Sequence, residues 1–344
     1  MQHRTLGASG IVVSDIAFGA MNFGFPGGPS DDQAVAMVHR ALDAGVNLID
    51  TADVYTAGES ERVVGLALRG RRDDVVLATK FGLPMGEHPN QSGASARWIK
   101  RAVEDSLRRL GTDYIDLYQL HRPDYATDLD ETLSALTDLV HQGKLRAIGT
   151  STFPAELIVS AQWAAQQGSH RRFITEQPRY SIFNRRPETH VFPTLQRFGM
   201  GALTYAPLAS GWLSGRPDPT SGRRAEMETH VFDLESPQNQ AKLLAVRQLR
   251  DVADGMGIPM THLALAFVRS HPAVSAVLIG PRTPEQLDDL LVGADVTLDD
   301  AVLDRIDAIV APGSDLNPAD DYDAVIPAIA DKHLRRRHRW TMGR

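Results

Sequence analysis

In the stretch Asn47-Leu48-Ile49-Asp50-Thr51-Ala52-Asp53-Val54-Tyr55, a short apolar run ends at the carboxylate Asp50, and the phenol Tyr55 follows five residues later. Two later apolar runs also end at polar side chains, one at Lys80 and the other at His121. If the three strands are parallel and adjacent, these four side chains meet at one rim, because the carboxyl ends of parallel strands lie on the same side of a sheet. Together they form a set that can transfer protons.

The alternation of strands and helices continues along the whole chain. Residues 2–14 are predicted to form a hairpin with its turn at Gly7-Ala8-Ser9-Gly10. Eight short strands follow, predicted at Ile16–Gly19, Asn47–Asp50, Val75–Lys80, Tyr114–His121, Leu145–Gly149, Phe173–Gln177, Gly201–Tyr205 and Ala276–Gly280. Eight strands alternating with helices predict an α/β fold, the (β/α)8 or TIM barrel, for which about 250 residues is typical.

The remaining residues predict one long loop and additional helices. A polar segment, residues 210–237, follows the seventh strand, and an extra helical pair is predicted near Pro284–Val292 and Asp299–Val310. We expect a single barrel domain over residues 1–312 and a C-terminal extension over 313–344 that is not a separate domain. The extension ends in the basic run Arg335–Arg339, which is typical of a solvated terminus. The alternative is docking onto the acidic body of a neighbouring subunit.

Composition excludes several classes of function. A net charge of -7 argues against nucleic acid as the main partner, because phosphate binding needs a basic face. The absence of cysteine excludes disulfides and Cys-based metal sites, and we predict no metal site. No apolar run approaches the roughly 20 residues that a membrane helix needs, so we expect a cytoplasmic protein without membrane contact. The chain has no G-x-G-x-x-G, P-loop or nucleophile elbow.

The four rim residues suit one kind of chemistry. A free phenol has a pKa near 10, and a nearby ammonium such as Lys80 would lower it. Asp50 would keep Lys80 charged and oriented, and His121 could position a carbonyl oxygen by a hydrogen bond. Such a set suits protonation of a carbonyl oxygen while a hydride reaches its carbon. The hydride must come from a cofactor, because no side chain supplies one.

These residues and their neighbours in sequence resemble the aldo-keto reductases. The matching stretches are Asp50–Tyr55, Ala78–Lys80 and Asp116–Asp124, in the family's order and at its usual intervals. The resemblance covers roughly residues 1 to 310. It implies that Tyr55 donates the proton, that Lys80 and Asp50 tune it, and that His121 orients the carbonyl. It also implies NADPH bound across the mouth of the barrel without a Rossmann fold, with NADH less favoured.

The resemblance also implies a set of cofactor contacts. Ser151 and Gln177 match ligands of the nicotinamide carboxamide, and Tyr205 matches the ring that stacks on the nicotinamide. The segment Leu208–Arg216 matches the cover of the pyrophosphate, and residues 279–286 match the pocket for the adenosine 2'-phosphate. The full set is Gly19, Ser151, Thr152, Gln177, Tyr205, Leu208, Ser210, Arg216, Gly280, Arg282 and Gln286. Three departures lie near the site: Thr152 stands where the family usually has Asn, Thr56 stands where Gly is commoner, and Ala20 replaces a frequent Thr.

The substrate is expected to be a small carbonyl compound, bound by a monomer or a weak homo-oligomer. Residues placed around the rim are candidates for the pocket wall: Met21, Phe23, Val54, Phe81 and Tyr125. Pocket loops vary within this fold, so the particular aldehyde or ketone is not predicted.

Each candidate residue has a structural alternative when it is taken singly. Asp50 could only cap the next segment, and Ser151 could cap the helix near Pro154. Arg282 could be a surface charge at a helix start. Two other functions also stay open at this point: a cofactor-sensing or regulatory barrel with slow or no turnover, and a lyase or aldolase that uses Lys80 as a Schiff-base amine.

Overall fold

The structure is a computed structural model that describes residues 1–320 and 327–336. The chain begins with an antiparallel hairpin of β1 (His3–Thr5) and β2 (Val12–Ser14), in which His3 pairs with Ser14. Arg4 Nη1 donates to the carbonyl oxygen of Val274, and Ser275 Oγ donates to that of Thr5. The predicted hairpin therefore packs against the start of the last barrel strand.

Eight parallel strands close into a barrel. They are β3 (Ile16–Gly19), β4 (Leu48–Asp50), β5 (Val76–Phe81), β6 (Ile115–Leu120), β7 (Leu145–Ser151), β8 (Thr175–Gln177), β9 (Gly201–Thr204) and β10 (Val274–Ile279). Each strand pairs with the next in chain order, and β10 returns to pair with β3. The (β/α)8 barrel predicted from the alternation of strands and helices is confirmed.

Helices alternate with the barrel strands, and further helices lie in the loop after β9 and in the C-terminal extension. They are α1 (Asp31–Asp43), α2 (Glu59–Ala67), α3 (Ala96–Leu110), α4 (Leu129–His141), α5 (Ala155–Gly168), α6 (Val191–Phe198), α7 (Arg223–Met227), α8 (Thr229–Phe232), α9 (Pro237–Met256), α10 (Met260–Ser270), α11 (Pro284–Val292), α12 (Asp300–Ile309), α13 (Pro327–Ala330) and α14 (Lys332–Arg335). Local capping explains several ends: Ser95 accepts from the backbone of Trp98 at the start of α3, and Gly111 ends that helix in the left-handed region.

Strand alternation decides which side chains face the inside of the barrel. Leu48, Ala78 and Leu117 belong to a small inner cluster, whereas Leu77 and Tyr118 belong to the large cluster beneath the helices. Because successive strand residues point to opposite faces, the inward set continues two residues further along each strand. That continuation reaches the residues at the carboxyl end of β4, β5 and β6, where the candidate site lies.

The long loop after the seventh barrel strand is more ordered than its polar sequence indicated. Residues 210–237 contain α7 and α8, and Val231 and Phe232 are buried. The extension contributes the short helices α13 and α14, while residues 321–326 and 337–344 lie outside the described structure, and with them most of the predicted basic run. Over residues 1–320 and 327–336, no helix is long and apolar enough to cross a membrane.

Candidate active site

The four predicted catalytic residues lie together at the carboxyl end of the barrel. Asp50 is the last residue of β4, Lys80 lies near the end of β5, and His121 directly follows β6. Tyr55 begins a short 3-10 turn (Tyr55–Gly58) after β4. Neighbouring strands β4, β5 and β6 pair in register, with Asp50 opposite Ala78 and Lys80 opposite Gln119.

Lys80 is the centre of this group. Its side chain is fully buried, and its ammonium donates to Asp50 Oδ1 at 2.5 Å, to the Thr51 carbonyl oxygen at 2.8 Å and to Tyr55 Oη at 3.3 Å. Burial lowers the pKa of Lys80, but Asp50 and Tyr55 outweigh it and hold that pKa above its usual value. A lysine kept protonated is a poor Schiff-base amine, which disfavours the lyase hypothesis.

Asp50 is oriented by two amides as well as by the ammonium. Its Oδ2 accepts from Gln119 Nε2 at 3.0 Å and from Gln177 Nε2 at 2.9 Å. Sequence reasoning missed Gln119, although it lies two residues before His121 and therefore faces the same side of the strand. With three donors on the carboxylate, Asp50 has little freedom to turn away from Lys80.

His121 lies on the other side of the phenol. Its ring meets that of Tyr55 edge-on, with centroids 5.6 Å apart and an interplanar angle of 83°. Burial, together with the positive charges of Lys80 and Arg122, holds the pKa of His121 well below its usual value, so the imidazole is neutral at physiological pH. Among the residues that the structure describes, Nδ1 of His121 has no hydrogen-bond partner.

The turn that carries Tyr55 has an unusual backbone. Thr56 and Ala57 have φ values of 50° and 54°, in the left-handed region that favours glycine. This conformation gives a physical reason for the Gly that the resemblance places at Thr56. The Thr56 hydroxyl donates to the Phe23 carbonyl oxygen at 3.1 Å and so ties the turn to the loop after β3.

The predicted carboxamide ligands surround the same rim. Ser151 ends β7, and its hydroxyl donates to the Gln177 carbonyl oxygen at 2.9 Å. Thr152 has a φ of 54°, a conformation that Asn adopts far more readily than the β-branched Thr. Tyr205 directly follows β9, half-buried, and its amide donates to the Pro178 carbonyl oxygen. The binding of cofactor by these residues stays a prediction.

The remaining predicted cofactor residues lie between β10 and the loop after β9. Gly19 approaches β10 so closely that a Cβ would lie 3.3 Å from the Ile279 carbonyl oxygen, and Gly280 accepts from Asn22 at 3.0 Å. Ser210 accepts from Arg179 at 3.1 Å, and half-buried Leu208 packs against the main core. Gln286, in the first turn of α11, accepts from the Arg282 amide at 2.9 Å.

A cluster of guanidinium groups lies at this edge of the site. Arg282 is half-buried, and its pKa is lowered by burial first and then by the charges of Arg223, Arg216 and Arg224. Arg282 lies two residues before α11, whose start is capped by Thr283. Several cations beside a helix N-terminus favour an anion such as a phosphate group. Sequence reasoning missed Arg223 and Arg224, since their place depends on how the long loop folds.

The predicted pocket residues differ in exposure. Met21 and Tyr125 are 41% and 44% exposed, and Val54 is half-buried. Phe23 and Phe81 have no exposed surface: Phe23 packs on Phe18, and Phe81 stacks on Tyr118 with centroids 4.6 Å apart. In this conformation neither ring presents a surface to a substrate. The predicted contact of the five residues with substrate stays a prediction.

A buried carboxyl group lies beside the turn and was not predicted. Asp53 is 1% exposed, and over the described residues neither of its carboxyl oxygens has a hydrogen-bond partner. Burial, with the neighbouring charge of Glu61, raises the pKa of Asp53 to about 8. Glu61 itself accepts from Thr79 and Arg109. Asp53 is therefore mostly protonated at neutral pH.

Comparison with known proteins agrees with this geometry. A profile of the aldo/keto reductase family matches residues 15–311. The chain belongs to the aldo/keto reductase family. One family relative, an uncharacterized oxidoreductase (YrpG) of Bacillus subtilis, is 34% identical over 92% of this chain and 98% of its own. The aldo-keto reductase YhdN of the same bacterium is 34% identical over 84% of this chain and 88% of its own.

Another relative has a different printed function. A probable voltage-gated potassium channel subunit beta of Arabidopsis thaliana is 35% identical over 90% of this chain and 97% of its own. Membership of the aldo/keto reductase family and the oxidoreductase relatives support carbonyl reduction as the general activity. They also support a nicotinamide cofactor, which the family generally uses.

Proposed function

We propose that this protein reduces an aldehyde or ketone to an alcohol with NADPH, with Tyr55 as the proton donor. The observation that carries the proposal is the buried Lys80 ammonium, which contacts both Asp50 and the Tyr55 hydroxyl. A protonated lysine stabilises the phenolate that remains when Tyr55 Oη gives up its proton. Asp50 compensates the buried charge of Lys80.

His121 supplies the second polar contact to the substrate in this proposal. The neutral imidazole beside the Tyr55 ring can donate one hydrogen bond to the carbonyl oxygen and so fix its place relative to Tyr55 Oη. A neutral ring gives a hydrogen bond without competing with Tyr55 as the acid. The two side chains thereby orient the oxygen that receives the proton.

The residues at the rim fit a phosphorylated dinucleotide. When bound, the reduced nicotinamide would supply the hydride. The cations of the cluster around Arg282 would hold the phosphate groups, and Ser151 and Gln177 would hold the carboxamide. The guanidinium beside the start of α11 favours NADPH over NADH, because it would pair with the additional phosphate.

The test is NADPH oxidation with a panel of reactive aldehydes and ketones. Wild-type protein should turn over repeatedly, and Tyr55→Phe should lose about 10³-fold in kcat while it still binds NADPH. Thr189→Val, which removes an exposed hydroxyl that donates to the Arg186 carbonyl oxygen, serves as the control. If Tyr55→Phe keeps most of the wild-type rate, Tyr55 is not the donor. If the wild type binds NADPH but oxidises it with none of the aldehydes and ketones, the proposal of general carbonyl reduction is wrong.

A second candidate function is favoured by the relatives named as channel subunits. Plant proteins with that name cover nearly all of this chain at 34% and 35% identity. In this alternative, bound cofactor would report redox state and turnover would be slow. Comparison of the single-turnover rate with the multiple-turnover rate distinguishes a reductase from a sensor. A sensor would complete the first hydride transfer and then retain the oxidised cofactor.

A further inference from the structure

The first part of the C-terminal extension is built into the barrel. We call residues 314–320 the C-terminal clasp. It runs alongside the segment after β8: the Ser314 carbonyl oxygen accepts from the Arg185 amide, and the Leu316 amide donates to the Phe183 carbonyl oxygen, each at 3.0 Å. The clasp thus pairs with residues 183–185, in the segment that follows Gln177 of the candidate site.

The clasp also holds the loop that contains α7 and α8. Asn317 donates to Asn239 Oδ1 at 3.0 Å, and Asn239 in turn donates to the carbonyl oxygens of His230 and Asp233, at 3.1 Å and 2.8 Å. Asn239 has no exposed surface, and Asn317 is 7% exposed. A buried chain of amide hydrogen bonds therefore links the clasp to the end of α8.

A buried ion pair closes the clasp. Lys242 of α9 has no exposed surface, and its ammonium pairs with the Asp320 carboxylate, which is 4% exposed. Lys242 Nζ also lies 5.2 Å from the centre of the Trp212 ring. Removal of one partner from such a pair is costly, because it leaves the other charge buried and uncompensated.

Arg179 connects the clasp to the loop that the family resemblance places over the pyrophosphate. Arg179 is 3% exposed, and its guanidinium donates to the Asp320 carbonyl oxygen and, at 3.1 Å, to Ser210 Oγ. Ser210 lies in a turn with Ala209, and both have positive φ, 58° and 48°. A turn in this conformation needs such support, because non-glycine residues rarely adopt it.

We infer that Asp320 is a positioning residue for cofactor retention, acting on the Ala209–Ser210 turn through Arg179 and Lys242. This inference rests on the proposed NADPH-dependent function. The carboxylate fixes residue 320 against α9, and the carbonyl group of the same residue holds the guanidinium that reaches Ser210. Loosening the clasp frees the turn, and bound NADPH then leaves faster, whereas the groups that carry out hydride and proton transfer keep their arrangement.

The experiment compares wild type, Asp320→Asn and Asp315→Asn. Asp315 lies in the same clasp, but its carboxylate accepts from the amide and the guanidinium of Arg186 rather than from Lys242, so its substitution is a matched loss of one clasp carboxylate. Stopped-flow fluorescence measures the release of NADPH, and single-turnover absorbance measures hydride transfer. We expect Asp320→Asn to release NADPH about tenfold faster, with hydride transfer within about twofold of wild type, and Asp315→Asn to match wild type in both.

If Asp320 only stabilised the fold, Asp320→Asn would have a lower melting temperature, but NADPH release would not become faster relative to hydride transfer. Unchanged NADPH release from folded Asp320→Asn overturns the inference, and so does equally faster release from Asp315→Asn. If wild type fails to bind NADPH, the proposed function fails first, and the two failures are thereby distinguished.

Hydrogen exchange on the wild type gives a second test that needs no variant. Coupling is reciprocal, so NADPH that holds the Ala209–Ser210 turn should also hold the clasp. The Leu316 and Asp320 amides both donate hydrogen bonds, and we expect their exchange to slow at least severalfold when NADPH binds. Slower exchange in residues 209–216 with no change in 314–320 would contradict the inference.

Discussion

The two ends of the barrel each contain a buried ion pair, and the pairs differ in what surrounds them. At the amino end, Arg269 donates twice to Asp15 Oδ2, at 2.8 Å and 2.6 Å, and its third contact is the Val296 carbonyl oxygen. Asp15 Oδ1 accepts from the Gln2 amide. At the carboxyl end, Lys80 directs one donor to the half-buried Tyr55 hydroxyl. Removal of one partner from the Asp15–Arg269 pair should therefore cost stability, whereas the Lys80 pair also contacts the hydroxyl that is predicted to donate the proton.

Backbone strain is distributed as unevenly as the charges. Of the seven non-glycine residues with positive φ in the described structure, six follow the carboxyl ends of barrel strands: Thr56, Ala57, Thr152, Ala206, Ala209 and Ser210. The seventh, Ser169, ends α5. Strained backbone is tolerated where the surrounding structure holds it, and it clusters at functional sites. The backbone strain therefore lies at the same end of the barrel as the four predicted catalytic residues.

The largest expected difference between the two ends is in catalytic rate. Lys80→Met removes the ammonium that, in the proposed function, stabilises the phenolate of Tyr55, and kcat should fall by about 10³-fold. Asp50 keeps the two amide donors of Gln119 and Gln177, so the fold should survive at a lower stability. NADPH oxidation measures the loss, and circular dichroism verifies the fold. A folded Lys80→Met that retains a tenth of wild-type activity would disprove the role of Lys80.

The corresponding change at the amino end should act on stability instead. Arg269→Met leaves Asp15 buried without its cation, and the free energy of unfolding should fall by about 3 kcal/mol. Urea denaturation measures this loss. At a temperature where the variant is folded, its kcat should equal that of wild type, since the Asp15 pair lies at the opposite end of the barrel. A tenfold lower kcat would show that the two ends are coupled.

Asp53 and Asp15 are both buried, but they differ in hydrogen bonding. Arg269 donates to the Asp15 carboxylate, whereas among the described residues the Asp53 carboxyl oxygens accept no hydrogen bond. Asp53 has a pKa of about 8 in the folded protein, whereas an unfolded Asp ionises near pH 3.9. Between these values only the unfolded state has lost the proton, so this group lowers stability as pH rises. Asp53→Asn should therefore raise the free energy of unfolding by about 2 kcal/mol at pH 7 and by almost nothing at pH 4.

Urea denaturation at pH 4.5 and 7.5 tests the Asp53 prediction. Asp15→Asn is the control, because it removes a carboxylate that is paired with Arg269 and should destabilise the protein at both pH values. A gain for Asp53→Asn that is equal at both pH values would show that ionisation of Asp53 is not its cause.

The smallest effect concerns backbone strain. Ala57→Gly places glycine at an exposed left-handed position and should stabilise the protein by about 1 kcal/mol. Ala164→Gly, inside α5, is the matched control and should destabilise by about 1 kcal/mol, because glycine weakens a helix. Thermal unfolding measures both. If both substitutions lower the melting temperature, the turn after Tyr55 stores no strain.

The elements predicted best are those with strong local signals. The bounds of α11 agree with the predicted Pro284–Val292 because Thr283 and Pro284 mark its start and Gly293 follows its end, so the boundary information lies in adjacent residues. The same reasoning placed Asp50, Lys80 and His121 at one rim, since strand ends alone decide their position. The ammonium's contacts with Asp50 and Tyr55 were likewise predictable from residue types and barrel topology.

The features that sequence reasoning missed depend on contacts between distant residues. Arg179 and Asp320 meet across 141 residues, and neither neighbourhood signals the other. Asp53 lies beside Glu61 only because of how α2 packs on the barrel. The helices α7 and α8 have five and four residues, which is too short for a clear apolar periodicity. Tertiary packing, rather than local preference, determines these features.

Closure of the barrel by β10 against β3 has a consequence for synthesis of the protein. Val277 pairs with Ile16, so β3 gains this neighbouring strand only after β10 has been synthesised. All four predicted catalytic residues, in contrast, have been translated by residue 121. The four predicted catalytic residues are therefore synthesised long before the barrel around them can close. Until β10 emerges, the edge of β3 that pairs with it stays open, and an open strand edge is a surface on which chains mispair and aggregate.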